Sequence, residues 1–142
     1  MSVFIKWFPP SWLQIKTEDK IIYVDPAYLR TYFTKHPKKI EFSKWPGPID
    51  GLPEELEKGD IILVTHDHSD HVKTVTIDRL RCENTVILAP KRCTGKLGKD
   101  IKVVKPGNKV IVGDIRVEAV EAYNTDQGSS TRKVHHKGKG VG

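Results

Sequence analysis

Short runs of apolar residues, separated by turn-forming residues, make up most of this sequence and predict a chain built mainly of strands. The predicted strands cover residues 3–8, 12–16, 20–24, 61–64, 85–89, 101–104, 109–112 and 115–120. Helices are predicted over residues 52–58, where Pro53 is followed by acidic residues, and over residues 74–81. Strands interleaved with helices predict a fold of the α/β class.

The strand over residues 61–64 is a continuous apolar run, which predicts burial on both of its faces. It stops at the segment Thr65-His66-Asp67-His68-Ser69-Asp70-His71. Three imidazoles and two carboxylates so close together would repel one another and compete for hydrogen bonds, whereas a divalent metal ion would bind both kinds of group. On extended backbone His66 and His68 point to the same side. The segment therefore predicts a metal site at the end of a strand.

A polar turn between a strand and a helix is the alternative interpretation of this segment, with Ser69 or Asp70 capping the helix that follows. That interpretation accounts for one carboxylate and one imidazole. It does not account for three imidazoles and an Asp in this order, so we favour the metal site. After the turn, Asp70 and His71 are placed to serve a second metal position close to the first.

The pattern His66-x-His68-x-Asp70-His71 after an apolar strand resembles the signature loop of the metallo-β-lactamase superfamily of metal-dependent hydrolases. The segments 5–8, 13–15 and 21–26 are similar to the opening strands of that fold. More narrowly, the chain resembles a branch of small metal-dependent hydrolases that includes lactonase-like members. The resemblance implies the α/β fold of the superfamily, an αββα sandwich, of which residues 1–142 supply roughly the first half. We therefore expect a single domain that is truncated at its C-terminal end.

The resemblance also implies which residues bind the metal. The implied ligands are His66, His68, Asp70, His71 and His135. A first site would take three imidazoles, from His66, His68 and His135, and would keep an open position as catalytic zinc sites do. A second site would begin at Asp70 and His71.

The resemblance also bears on His136 and Asp25. His136 is the alternative to His135, and spacing alone does not choose between them. Asp25 is implied to lie behind the ligands and to hydrogen-bond a ligand His or the loop backbone. From its spacing alone, an Asp before Pro26 would be read only as a turn signal.

A metal-dependent hydrolase is the function that the resemblance implies. One or two Zn ions, with Mn or Fe as alternatives, would activate water for attack on an ester, lactone, amide or phosphodiester bond of a small molecule. Asp70 is the candidate catalytic residue, since it would orient the nucleophile or hold the second metal. The loops that choose the substrate are expected in the other half of the fold.

Composition changes this picture little. The chain has 142 residues, of which 37% are hydrophobic and 30% charged, as expected of a globular domain. No apolar run approaches the ~20 residues of a membrane-spanning helix, and the N-terminus lacks the pattern of a signal peptide, so the predicted location is cytoplasmic. Cys82 and Cys93 are predicted to be free thiols without a catalytic role.

Two other hypotheses stay open. The net charge is +6, and residues 27–53 mix aromatic with basic side chains, which is typical of a nucleic-acid-binding protein or a nuclease. The same segment would suit a loop packed on the core equally well, so a nucleic-acid partner is not favoured. Alternatively, the half-length fold assembles as a homodimer through an exposed sheet edge and binds metal without efficient catalysis.

Overall fold

A six-stranded mixed sheet lies at the centre of the computed structural model, which describes residues 2–8, 10–28, 56–125 and 135–142. The strands follow one another across the sheet in chain order: β1 (Phe4–Phe8), β2 (Trp12–Lys16), β3 (Ile21–Val24), β4 (Ile61–Leu63), β5 (Val86–Ala89) and β6 (Lys102–Val103). The first three strands pair antiparallel, and β3 to β6 pair parallel. The carboxyl ends of β3, β4 and β5 therefore meet at one edge of the sheet, where α/β folds commonly hold functional residues.

Two smaller antiparallel pairs cover one face of this sheet. They are β7 (Lys109–Val112) with β8 (Ile115–Glu118), and β9 (Glu121–Ala122) with β10 (Gly140–Val141). The core on this side contains Leu88, Val104, Val110, Ala119 and Val141. Burial of these apolar side chains attaches the second layer of strands to the sheet.

Helices cover the other face of the sheet. They are α1 (Thr74–Leu80), a 3₁₀ helix (Lys91–Cys93) and α2 (Thr94–Leu97). The core on this side includes Trp12, Tyr23, Ile62, Val64, Ile77, Leu80 and Cys93. Successive residues of a strand point to opposite faces, so Ile62 packs on the helix side while Leu63 packs on the strand side. β4 is thus covered on both faces, as its apolar run predicted, and the α/β class is confirmed.

Most elements begin and end within two residues of the prediction. Residues 12–16 and 109–112 form strands over their full predicted length, while the other predicted strands are one or two residues shorter. The predicted helix over residues 74–81 ends at Leu80, because the backbone of Arg81 is extended, with ψ 151°. Alternation and continuous apolar runs therefore locate these elements well, apart from their ends.

The predicted helix over residues 52–58 is wrong at residues 56–58, which are not helical, and residues 52–55 lie outside the described part of the chain. Proline followed by acidic residues is only a weak signal of a helix start, and packing against the sheet overrides it. From residue 29 to residue 53, the aromatic and basic segment also lies outside the described residues.

None of the helices that the described residues form is long and apolar enough to cross a bilayer.

Cys82 and Cys93 are both free, the first exposed and the second buried in the helix-side core. Burial raises the pKa of the Cys93 thiol to about 11, so this thiol stays protonated near pH 7.

Ile77 and Val75 give a matched test of this packing, because both lie on α1. Ile77 is 1% exposed, whereas Val75 is 62% exposed. Ile77→Ala should lower the free energy of unfolding by about 2–5 kcal/mol, since it leaves a cavity in the helix-side core. Val75→Ala should change it by about 0.5 kcal/mol or less. Urea denaturation measures both, and equal losses would mean that α1 does not pack on the sheet through Ile77.

Candidate metal centre

The candidate metal centre lies at the edge of the sheet where β3, β4 and β5 end. The backbone N–H of Asp25 donates to the carbonyl of Leu63 (2.8 Å), and that of Val64 donates to the carbonyl of Leu88 (2.9 Å). These hydrogen bonds continue the parallel pairing past the strand ends. The residues that follow β4, from Thr65 onward, are therefore held in a defined position beside Asp25.

Three of the predicted ligands, His66, His68 and His135, meet at this edge. Their ring centroids are 4.7 Å apart for His66 and His68, 4.6 Å for His66 and His135, and 4.9 Å for His68 and His135. One ring nitrogen from each lies within 4.8 Å of the others. His136 is exposed and lies outside this cluster. The structure thus brings two histidines of the loop together with one from the far end of the described chain.

Asn124 holds His135 in place through two hydrogen bonds. The side-chain Oδ1 of Asn124 accepts from the backbone N–H of His135 (2.8 Å), and the backbone N–H of Asn124 donates to the carbonyl of His135 (2.8 Å). A little further along, the N–H of Val141 in β10 donates to the carbonyl of Thr65 (2.9 Å). The sequence does not single out Asn124, because polar residues commonly follow the end of a strand.

Asp25, His66 and His71 form a second group, whose ligand atoms also lie within 4.8 Å of one another. Asp25 is 4% exposed. Its Oδ1 accepts from the N–H of Thr65, and its Oδ2 lies against the Thr65 hydroxyl and Nδ1 of His71, each at 2.7 Å. The φ of Asp25 is 48°, a left-handed conformation that costs about 1–3 kcal/mol in such a residue. The hydrogen bonds to its carboxylate stabilise this conformation and join Asp25 to both the loop backbone and the His71 ring.

The Thr65 hydroxyl connects Asp25 to His66. Its Oγ1 lies 2.7 Å from Oδ2 of Asp25 and 2.8 Å from Nδ1 of His66. A hydroxyl carries one proton and an ionised carboxylate can only accept, so the hydroxyl donates to Asp25 and accepts from the N–H at Nδ1 of His66. This contact assigns the tautomer of His66 and leaves its Nε2 without a proton. Thr65 was not a predicted site residue, because its role depends on a partner far away in the chain.

The Nε2 of His66 is buried, and it has no hydrogen-bond partner among the residues that the structure describes. Burial and the nearby His71 ring lower the pKa of His66 to about 4, so the ring is neutral near pH 7. A buried lone pair without a partner is unfavourable unless something binds it. Together with the nitrogens of His68 and His135, it forms a three-imidazole set that suits a zinc ion. The side chains at this edge therefore fit a metal ion.

Asp70 and His71 lie beside the three histidines. Oδ2 of Asp70 is 3.6 Å from Nε2 of His71, and the Asp70 side chain is 50% exposed. Asp70 belongs to neither of the two groups of ligand atoms. Burial alone would lower the pKa of His71, but the hydrogen bond to Asp25 and the charges of Asp25 and Asp70 outweigh it and raise that pKa. The two side chains are thus available as a pair next to the first cluster.

Asp67 joins the loop to the helical layer instead of to the histidines. Its Oδ2 accepts from Nε of Arg92 (3.3 Å), and its backbone carbonyl accepts from the Lys96 ammonium. Burial would raise the pKa of Asp67, but the charge and hydrogen bond of Arg92, a backbone hydrogen bond and the charge of His68 together outweigh it and lower that pKa. The sequence does not identify these two cations as neighbours of the loop, because only the packing of the 3₁₀ helix and α2 brings them there.

A cavity of about 480 Å³ opens beside the cluster and is lined by the three histidines, together with Tyr123 and His136. This volume lies within the range of sites that bind small molecules. The cavity therefore opens onto the imidazoles from this side.

The sequence matches the family described as "Beta-lactamase superfamily domain" over residues 4–140. A "UPF0173 metal-dependent hydrolase" of Lawsonia intracellularis is 30% identical over 118 residues, which cover 81% of this chain and 41% of that protein. The "Probable L-ascorbate-6-phosphate lactonase UlaG" of Salmonella heidelberg is 30% identical over 81 residues, which cover 51% of this chain and 23% of that protein.

Solved structures show a similar fold. The "Putative metal-dependent hydrolase" from Parabacteroides distasonis has a TM-score of 0.70 and 27% identity, over 98% of this chain and 53% of that one. CmlA, a diiron β-hydroxylase from Streptomyces venezuelae, has a TM-score of 0.55 and 17% identity, over 95% of this chain and 26% of that one, and shows likeness of fold alone. The chain spans about half the length of the Parabacteroides protein and less of the others.

Gly140 gives a test of how closely β10 approaches the histidine loop. A Cβ at Gly140 would lie 3.1 Å from the carbonyl oxygen of Thr65 and 3.2 Å from Cβ of His66, whereas one at Gly95 in α2 would meet nothing within 4 Å. Gly140→Ala should lower the free energy of unfolding by about 1–3 kcal/mol, because the backbones must move apart. Gly95→Ala should raise it by about 0.5–1 kcal/mol. Urea denaturation measures both, and a Gly140→Ala variant as stable as the parent would contradict the close approach.

Proposed function

We propose that this chain, which belongs to the beta-lactamase superfamily, is the metal-binding part of a metal-dependent hydrolase acting on a small molecule. The family match and the likeness to the Parabacteroides structure confirm the predicted resemblance and its α/β fold. One observation carries the functional proposal. It is the cluster of three imidazoles in which the buried Nε2 of His66 has no partner among the described residues.

His66, His68 and His135 would hold the first metal ion, and Asp70 with His71 would begin a second site. A divalent ion held there supplies Lewis acidity and lowers the pKa of water toward neutrality. Zinc suits a set of three imidazoles, and manganese or iron are the alternatives because the Asp70 carboxylate lies close by.

The protein's own groups orient this site before a substrate binds. Asp25 and Thr65 fix the tautomer of His66 so that its unprotonated Nε2 is available for a ligand bond. The same carboxylate holds Nδ1 of His71 and leaves Nε2 of that ring 3.6 Å from Asp70. Such outer hydrogen bonds keep ligand rings from rotating and typically raise metal affinity.

Asp70 is the residue to which we assign the catalytic role. Its carboxylate is half-exposed and lies beside His71, whereas the Asp25 carboxylate is buried and already has three partners. Asp70 therefore has room to accept a hydrogen bond from the attacking water, or to bind a second ion. Asp25 acts only through the residues that it positions.

An ester, lactone, amide or phosphodiester bond is the proposed target. The cavity of about 480 Å³ supports a small molecule as the substrate. Among these bonds the lactone has the best support, since the Salmonella relative is described as a lactonase. A lactone carbonyl needs polarisation and attack by water, which the proposed site would provide.

A homodimer that binds metal without efficient catalysis is a second candidate, and one observation favours it. β1 is an edge strand, and within the described structure its Phe4, Ile5 and Trp7 are 68%, 68% and 48% exposed. Exposed apolar edge strands invite pairing with another chain. The nucleic-acid role stays a prediction, because the aromatic and basic segment lies largely outside the described residues. The cytoplasmic location also stays a prediction.

Zinc binding by two neighbouring histidine variants tests the proposed site. His135→Ala should weaken zinc binding by about 100-fold or more, because it removes one of three ligands. His136→Ala should leave the affinity within about 3-fold, since this exposed imidazole lies outside the cluster. Calorimetric titration of zinc into EDTA-treated and dialysed protein measures both affinities, and circular dichroism checks that each variant folds.

Two outcomes would contradict the proposed site. One is an equal loss of affinity in both variants, which would mean that the ligand set is wrong. The other is full zinc binding by a folded His66→Ala variant, which would mean that the buried Nε2 is not a ligand.

A further inference from the structure

A second cavity, of about 340 Å³, adjoins the candidate metal centre. Both cavities are lined by Arg92, Lys139, Gly140 and Val141, so they share a wall made by β10 and the 3₁₀ helix. β10 also contacts the loop that carries His66, through the hydrogen bond between Val141 and Thr65. The second cavity is therefore a direct neighbour of the one beside the histidines.

This second cavity, which we call the basic groove, combines apolar walls with cations. Its apolar side chains are Pro90, Val103, Val104, Pro106 and Val141. Its charged residues are Lys91, Arg92, Lys105 and Lys139, and no Asp or Glu among the described residues lines it. Four cations without a carboxylate on one small concave surface favour an anionic ligand.

The three lysines of the groove are not neutralised by neighbours. In the part of the chain that the structure describes, no ion pair forms at Lys91, Lys105 or Lys139, whereas Arg92 is paired with Asp67 at 3.3 Å. The turn that carries Lys105 is held in place, since the N–H of Lys105 donates to Oδ1 of Asn108 (3.0 Å). The groove therefore presents three ammonium groups without an ion pair to a described residue, and the backbone that carries one of them is held in place.

We propose that the basic groove binds an anionic group, a carboxylate or a phosphate, of the substrate whose scissile bond lies at the three histidines. This inference rests on the proposed function and narrows its substrate class. The substrate is a small anion in which a short apolar portion separates the charged group from the hydrolysable bond. The apolar portion packs against Val103, which is 46% exposed, and the charged group lies among the lysines.

A nucleic-acid strand fits these observations less well. Such a ligand needs a continuous basic stripe with stacking aromatic side chains, and the basic groove has no aromatic residue among its described lining residues. Lys137, which follows His136, is paired with Glu121 at 3.3 Å. Within its described lining, the groove thus lacks the stacking side chains that a nucleic-acid strand needs.

NMR titration of the full chain with three small probes tests the inference. The probes are hexanoate, phenyl phosphate and the neutral 1-hexanol, added to EDTA-treated protein so that a bound metal cannot capture the anions. We expect at least one anion to shift the amide signals of Val104, Lys105 and Gly140, and we expect 1-hexanol to bind about 5-fold more weakly or worse. The hexanoate and phenyl phosphate titrations show which kind of anion the groove prefers.

Two double variants distinguish anion binding in the groove from a nonspecific effect of the protein's positive charge. Lys91→Gln with Lys105→Gln should weaken anion binding about 5-fold or more, because it removes two of the free cations. Lys6→Gln with Lys99→Gln removes the same charge from exposed positions outside the groove and should leave binding unchanged. Equal weakening in both variants, equal binding of 1-hexanol, or no shifts at millimolar anion would overturn the inference. Tighter binding of a short oligonucleotide with shifts spread beyond the groove would also overturn it.

The zinc titrations distinguish a failure of this inference from a failure of the proposed function. Zinc binding by the parent chain together with no anion binding would overturn the groove and leave the metal site standing. Anion binding by a chain that binds no zinc would overturn the proposed function, and with it the role of the groove as part of a substrate site.

Discussion

The buried carboxylate of Asp25 is the group on which the candidate site depends. Taking a carboxylate out of water is costly unless hydrogen bonds replace its hydration, and Asp25 receives three contacts at 2.7 Å. All three come from Thr65 and His71, on the loop that carries the metal ligands. The left-handed φ of 48° at Asp25 aims its side chain at that loop. The protein thus concentrates strain and desolvation at one residue, and the contacts of that residue set the conformation of the loop.

The loop is also held from the two layers that flank the sheet. On the strand side, β10 approaches so closely that a Cβ at position 140 would lie 3.1 Å from the carbonyl oxygen of Thr65, and Asn124 holds His135 in front of the loop. On the helix side, Arg92 binds the Asp67 carboxylate. The three-histidine cluster therefore depends on all layers of the fold, and a peptide with the loop sequence alone would not reproduce its geometry.

The sequence predicts the features that depend on interactions between residues close together in the chain. Strands such as β2 and β7 were predicted to the residue, because the apolar patterns and turn residues that mark them are local features of the sequence. The segment from His66 to His71 was recognisable for the same reason, since one short stretch contains most of the predicted ligands. The helix predicted over residues 52–58 rested on weak end signals and is not helical at residues 56–58.

The supporting residues could not be predicted in this way. Thr65 contacts Asp25 across 40 positions in the chain, and Arg92 contacts Asp67 across 25. Asn124 acts on a histidine 11 positions away, after a polar segment without any periodic pattern. Each of these contacts exists only because strands and helices distant in sequence pack together, and neither periodicity nor motif spacing reports such packing.

X-ray diffraction at the zinc absorption edge, from crystals of this chain grown with equimolar zinc, tests the central claim most directly. We expect one anomalous peak with nitrogens of His66, His68 and His135 about 2.0–2.1 Å away, and with Nε2 as the ligand atom of His66. Zinc bound at other residues, or no ordered peak in a well-diffracting crystal, would contradict the assignment of these three histidines as a metal site.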